Sequence, residues 1–337
     1  MNKAVLIMID TYFSILHSNI PEWLHPYLKT PSLERLKGVG LFCGVDYSCL
    51  FHPHIFYSRF HHSVGVALII WHFTKSKKAT LAGLLHDVST PVFSHAIDFK
   101  NKDYLKQEST EKDNAKMILE DKQLLSLLNK DNISINDVLH YDAYPVADLK
   151  APALCADRLE YMFSTGYFLC DYFDLESIKT CYEDISIQEN GELGFNTKEI
   201  AQSFFDSSLK VTKLFLEPYD KITLQILACL VDEAFKNNIL QPEDIYNKTE
   251  KQVIDLFKTS ECYDIKKYYY LLTKQKEVLL SEEPLENAYC IKLDVKRRYV
   301  DPLVNNQRLS TIIPANKKKI DDLFVIDPHY ICMKWCA

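Results

Sequence analysis

The stretch RFHHSVGVALIIWHF, residues 59–73, is apolar at nearly every position that a helix would bury, yet it opens on an arginine and two adjacent histidines. A helix that is hydrophobic around most of its circumference must be enclosed by the rest of the chain. Its polar residues then need partners, because an unpaired imidazole or charge inside a core is costly. LAGLLHDVSTPVFSHAID (81–98) and ALCADRLEYMF (153–163) pose the same problem, with His86, Asp87 and Asp157 set among apolar neighbours. Whatever this chain folds into has to satisfy these groups in its interior.

Enclosure is feasible, since 337 residues at 47% hydrophobic content can bury a large core, and the length suits two or three lobes. Helical periodicity runs through residues 59–74, 79–87, 107–129, 149–172, 198–216 and 221–237, with Pro91 and Pro145 as breaks. Thr30 before Pro31 in TPSLERLKGVGLF reads as a capped helix start. In AYCIKLDVK, Tyr289, Ile291, Leu293 and Val295 alternate with Lys292, Asp294 and Lys296, the pattern of a half-buried strand. The fold class expected is therefore mainly α, with a smaller mixed C-terminal lobe over about 276–337 that contains a short β element.

Composition narrows function by exclusion. With only eight glycines, the chain has no glycine-rich phosphate loop and no dinucleotide fingerprint. A net charge of −7 disfavours a general nucleic-acid coat. Ten cysteines without a CxxC pair, no secretory leader and no apolar run of about 18 residues point to a reducing, cytoplasmic setting without a membrane partner. KAVLIMID is too short to be a leader or a span.

His86 and Asp87 end an apolar helix, where a divalent cation would relieve both, imidazole nitrogen and carboxylate oxygen being good ligands. The plain alternative for a lone His-Asp dipeptide is a satisfied core histidine beside a solvent-facing aspartate. His62 upstream and Asp157 downstream supply the further donors that a metal would need.

The order H, HD, D, with HS.G.A at the first histidine, resembles the HD-domain metal-dependent phosphohydrolases. Within them, TPSLERLKGVG resembles a TP.fqRL opening and RFHHSVGVA resembles RFEHSLGV. AGLLHDVSTPVFSHAID resembles AgL.HDiGHgPFSH..D, the signature of deoxynucleoside triphosphate triphosphohydrolases. The resemblance spans roughly residues 5–170. It implies an HD-domain helical core at 35–185, after an N-terminal arm at 1–34 and before a helical extension at 186–275. It also implies a divalent metal ion (Mn, Fe, Mg, Zn or Ni) held by His62, His86, Asp87 and Asp157, and a homo-oligomer. Aligned this way, His62 is the ligand, while His61 stands where the family commonly has glutamate and becomes a neighbour lining the substrate pocket. Arg59 matches a phosphate-contacting arginine, a task that suits its planar fork of donors. Arg158, beside Asp157, is carried over as a third substrate-binding residue.

Two positions depart from the pattern. Thr90 replaces a family histidine, and Gln107-Glu108 stands where the family often reads histidine-glutamate. Neither replacement can do the proton transfer of imidazole near neutral pH. His95, Asp98 and Glu108 remain as the catalytic candidates, with His95 and Asp98 on one helical face. The function expected is hydrolysis of a phosphoester or phosphoanhydride of a nucleotide, or of another phosphorylated small molecule, by metal-activated water. A phosphatase or phosphodiesterase, and a nucleotide sensor that has lost turnover, are the alternatives.

Other polar groups carry less. His52 and His54 flank Pro53 and suit surface or pocket-lining roles. Cys332 and Cys336 lack partner histidines and read as free thiols. Lys317, Lys318 and Lys319 read as a solvated helix face. Lys296, Arg297 and Arg298 divide evenly between a surface cluster and a phosphate-binding one.

Overall fold

The computed structural model describes residues 3–106 and 114–335. Its centre is a pair of helices, α3 (Arg59–Thr74) and α4 (Lys77–Leu85), preceded in the chain by α1 (Lys3–Leu16) and α2 (Pro31–Leu36). Ser58 caps α3, and Lys75, in the left-handed region at φ 51°, ends it. Ser76 then caps α4 at once, so the two helices fold back on each other. Val64 to Ile70 are buried without interruption, as the apolar circumference requires. Gly83 permits the close approach: a Cβ there would lie 2.2 Å from Ile70 Cδ1.

The remaining helices pack around this pair and on one another. They are α5 (His95–Lys100), α6 (Asn114–Glu120), α7 (Lys122–Lys130), α8 (Ile135–Leu139), α9 (Ala156–Phe168), α10 (Leu175–Glu183), α11 (Lys198–Leu214), α12 (Pro218–Lys236), α13 (Asp244–Asn247), α14 (Glu250–Thr259), α15 (Tyr263–Thr273), α16 (Leu309–Ile312) and α17 (Pro314–Asp321). Helix α9 crosses α3 directly. The N-terminal segment is no loose extension, because Ile9, Tyr12, Phe13 and Leu16 of α1 are buried. No helix among the described residues is long and apolar enough to cross a membrane.

Two small sheets complete the mainly helical fold. Strands β1 (Ile185–Ile187) and β2 (Leu193–Phe195) form a hairpin, and β5 (Leu303–Val304) joins β2 in parallel, followed by β6 (Gln307–Arg308). The β5–β6 turn uses Asn305 and Asn306, both at positive φ, as a two-residue hairpin of right-handed twist demands. The second sheet has β7 (Tyr330–Lys334) between β3 (Leu279–Ser281) and β4 (Ala288–Ile291).

Several sequence expectations shift here. The strand expected through Val295 stops at Ile291; the residues after it belong to no strand. Cys332 is not a free thiol: antiparallel pairing of β4 with β7 places Cys290 opposite it, and the two are disulfide-bonded. Cys336 lies outside the described residues. The 149–172 helix begins only at Ala156, because residues 149–155 spend their apolar side chains in an irregular loop. In 107–129 the described part breaks at Asp121, whose carboxylate caps α7.

Candidate metal centre

The geometry of the centre begins at the first turn of α3. Ser58 Oγ accepts from the His61 N–H at 3.4 Å, and His61 Nδ1 accepts in return from the Ser58 N–H at 3.2 Å. His61 thus completes a capping box where glutamate usually sits. Burial and Lys37 push its imidazole down to about 4, so it is neutral. It does not line the cavity described below.

The next residue, His62, turns inward and is buried. Its Nδ1 is bonded to Glu160 of α9, a fully buried carboxylate. Tyr57 donates to Glu160 Oε1 at 2.6 Å, Tyr12 donates to the same oxygen at 3.2 Å, and Ser164 donates to Oε2 at 3.2 Å. Gly65 makes room for this cluster, since a Cβ would stand 2.7 Å from Glu160 Cγ. Pinned at Nδ1, His62 presents Nε2 to the site, 3.1 Å from Asp157 Oδ1 and 3.9 Å from Asp87 Oδ2. His86 follows the same plan: Nδ1 donates to the Gly83 carbonyl at 2.7 Å, leaving Nε2 at 3.5 Å from Asp87 and 3.6 Å from Asp157.

Donor atoms of His62, His86 and Asp87 all lie within 4.8 Å of one another, and Asp157 touches both imidazoles. In an octahedral site with bonds of about 2.1 Å, neighbouring donors stand roughly 3 Å apart. The observed separations therefore suit His62, His86 and Asp87 around one divalent ion, with Asp157 against both imidazoles at its edge, and nitrogen with carboxylate oxygen is a set that transition metals accept. Hydrogen bonds at both far nitrogens fix the tautomer that a metal needs.

Charge is distributed to match. Burial opposes ionisation of Asp87 and Asp157, yet Arg59 beside Asp87 and the two imidazoles beside Asp157 hold both carboxyls well below the usual range. For His62, burial is likewise outweighed by Glu160 and Asp157, which lift it to about 10. Metal and proton compete for that nitrogen. Arg59, expected at the substrate, instead donates to Asp87 Oδ2 at 2.5 Å and to Ser94 Oγ at 3.2 Å, while still lining the cavity. Thr90 donates to the other oxygen of Asp87 at 3.1 Å. The residue that stands in for the family histidine thus orients a carboxylate.

The cluster lines a cavity of about 150 Å³ that opens to solvent. The same cavity is also lined by His95, Tyr161, Lys296 and Arg298, and by Tyr141, whose ring packs on His86 at 5.2 Å. His95 donates through Nδ1 to Asp98 at 2.9 Å and accepts at Nε2 from Arg298 at 3.0 Å. Burial and the Arg298 charge, against the pull of Asp98, push its imidazole down to about 4. Of the basic triplet, Lys296 and Arg298 face the cavity, while Arg297 bonds Asp294 and the Val295 and Leu323 carbonyls.

Some expected residues are elsewhere. Arg158 turns away to the Ala153 carbonyl at 2.7 Å, the Leu149 carbonyl and Asp148, and serves the 149–155 loop. His54 pairs with Asp171 at 2.7 Å on the surface, and His52 is exposed. Glu108 and Gln107 lie outside the described residues. Conversely, Glu160, Tyr141 and Tyr161 were not singled out in the sequence. Glu160 and Tyr161 stand three and four residues after Asp157, the helical spacing that returns to its face.

Comparison with known proteins agrees with this geometry. Residues 59–140 match the family model described as HD domain. Uncharacterized protein YdhJ of Bacillus subtilis is 27% identical over 286 residues, covering 83% of each chain. The metal-dependent phosphohydrolase cns2 of Cordyceps militaris is 29% identical over 160 residues, which is 48% of this chain and 44% of that protein. A crystal structure described as a phosphohydrolase from Bacteroides thetaiotaomicron superposes with a TM-score of 0.64 at 14% identity, covering 95% of this chain and 97% of that one. A hypothetical protein from Aquifex aeolicus gives 0.61 at 17% identity, with 94% and 92% covered. These two structures share the fold. Residues 59–140 thus match the HD domain, and His62, His86 and Asp87, the group whose donors could hold a divalent metal ion, all lie within that segment.

Proposed function

We propose that the chain is a metal-dependent phosphohydrolase that cleaves a phosphoester or phosphoanhydride of a nucleotide, with His62, His86, Asp87 and Asp157 as the metal ligands. The observation that carries this reading is the meeting, in one cavity, of that four-residue cluster with the cations of Lys296 and Arg298 and the ring of His95. Donors for a divalent ion and positive charge facing the same cavity are what a bound phosphate group requires.

A divalent ion held there would polarise a phosphoryl oxygen and acidify water for attack. Glu160 and the Gly83 carbonyl orient the two imidazoles, and Arg59 with Thr90 orients Asp87. Lys296 and Arg298 counter the charge of the phosphate. His95, neutral and aligned by Asp98, can accept a proton at Nε2 once substrate displaces Arg298 from it.

The test is turnover of the protein loaded in turn with Mn, Fe, Mg, Zn or Ni against nucleoside mono-, di- and triphosphates, tripolyphosphate, p-nitrophenyl phosphate and a phosphodiester. Product analysis by phosphorus NMR separates release of triphosphate from release of orthophosphate. Metal-dependent turnover that chelator abolishes is expected. Absence of turnover on every compound with every metal overturns the proposal.

A further inference from the structure

Beside the metal cavity lies a second, smaller chamber of about 60 Å³, continuous with the first because Cys43, His95, Phe215, Lys296 and Arg298 line both. Its own lining is different in kind. Phe42 and Phe99 are buried there with Leu224 and Val295, and Phe215 stands at the junction. The one acid in this lining is Asp220, in the first turn of α12, one helical turn before Leu224 on the same face. The residue is 8% exposed, and its carboxyl, which lines the chamber, makes no side-chain hydrogen bond among the described residues.

We infer that this chamber receives the flat ring of the substrate, a nucleobase-like heterocycle lying among Phe42, Phe99 and Phe215, whose hydrogen-bonding edge is read by Asp220. The inference deepens the phosphohydrolase reading and rests on it for which end of the substrate faces the metal cluster. Aromatic walls suit a planar ring, which they can stack on or meet edge-on. Lys296 and Arg298, at the boundary of both spaces, stand where the phosphate joins the rest of the molecule. Burial, only partly offset by Lys221, raises the Asp220 carboxyl to about 8, so near neutral pH it keeps its proton. A protonated carboxyl presents an O–H donor next to a C=O acceptor. That pair matches a ring edge carrying an acceptor nitrogen beside an amino group, or a lactam edge. An anionic or purely apolar group would leave it unmatched. Asp220 is therefore a specificity-determining residue.

The experiment compares the parent protein with Asp220→Leu and Asp220→Asn, in each case as the ratio of kcat/KM for nucleoside triphosphates to that for tripolyphosphate. Asp220→Leu is expected to lower this ratio by about tenfold or more, since a ring edge would face a group that cannot pair with it. Asp220→Asn keeps a donor beside an acceptor and is expected to retain most of it. A variant that is merely damaged lowers both activities together and leaves the ratio unchanged, and an unchanged ratio in Asp220→Leu overturns the inference. So does a parent protein that cleaves tripolyphosphate as well as any nucleotide, a result that leaves the phosphohydrolase reading intact. Calorimetry with free nucleosides separates the two readings when nothing is turned over. Nucleoside binding weakened in Asp220→Leu supports the chamber even as the hydrolase reading fails, and no nucleoside binding by the parent protein overturns the chamber as well.

Discussion

The Glu160 carboxylate receives His62, Tyr12, Tyr57 and Ser164 in a space closed to solvent, and it never meets the cavity. Its work is to hold one imidazole with the correct nitrogen outward. Glu160→Gln keeps the volume, but its amide can donate to His62 Nδ1 and so favour the tautomer with a proton on Nε2. Affinity for Mn is expected to fall about 10- to 100-fold, the usual effect of losing such a supporting group. A manganese titration followed by electron paramagnetic resonance checks this, and an unchanged Kd in a folded variant refutes it. At this scale the sequence was legible where chemistry conflicts with surroundings: His62, His86, Asp87 and Asp157 are polar groups in apolar helices. Glu160 raised no such conflict in ADRLEYMF, because a glutamate one turn from an aspartate also describes a solvated face. Arg158 misled for a related reason. Adjacent to Asp157 in sequence, it is turned about 100° from it on the helix and reaches loop carbonyls instead.

Among the elements, α5 and the segment after β4 come from distant parts of the chain and meet at the His95–Arg298 contact of 3.0 Å. The Arg298 charge disfavours a second proton on His95, so removing it should let the imidazole rise from about 4 toward its ordinary value of 6.5, although burial still holds it down. If neutral His95 takes part in turnover, the acid limb of the pH–rate profile moves to higher pH in Arg298→Ala, by about one unit. The loss of activity is then larger at pH 5.5 than at pH 8. A limb in the same place as in the parent protein excludes the coupling. Helices with their own caps were readable in advance: 59–74 is bounded by Ser58 and Lys75 just as its pattern ends. Elements defined by remote partners were not. Strands β1 and β2 need β5, more than a hundred residues later, to extend their sheet, and the break at Asp121 depends on a cap inside an unbroken apolar pattern.

Across the whole molecule, a buried pair of acids ties the C-terminal helices to the loop that carries His95. Glu250 opens α14, and its Oε1 accepts from the Phe93 N–H at 2.9 Å, while Phe93 and Ser94 both hold positive φ. Its other oxygen lies close to Asp46, with Gly40 above them: a Cβ at Gly40 would be 2.9 Å from Glu250 and 3.3 Å from Asp46. Burial lifts the Glu250 carboxyl from 4.5 to about 7, and burial together with Glu250 raises Asp46. A carboxyl whose pKa is higher folded than unfolded favours the fold fully at low pH, below about 4.5, and that contribution disappears as pH rises through about 7. Over this window Glu250 alone should cost the protein about 3 kcal/mol. Glu250→Gln keeps an acceptor for Phe93 and removes the titration, so its stability should vary less with pH than that of the parent. The difference in Tm between the two, measured by calorimetry from pH 5 to pH 8, is expected to shift steadily in favour of Glu250→Gln as pH rises. A difference that is constant across the range, or that moves toward the parent, would mean that Glu250 is ionised and compensated throughout, and that the loop bearing His95 is held by a charged bond instead of a protonated one.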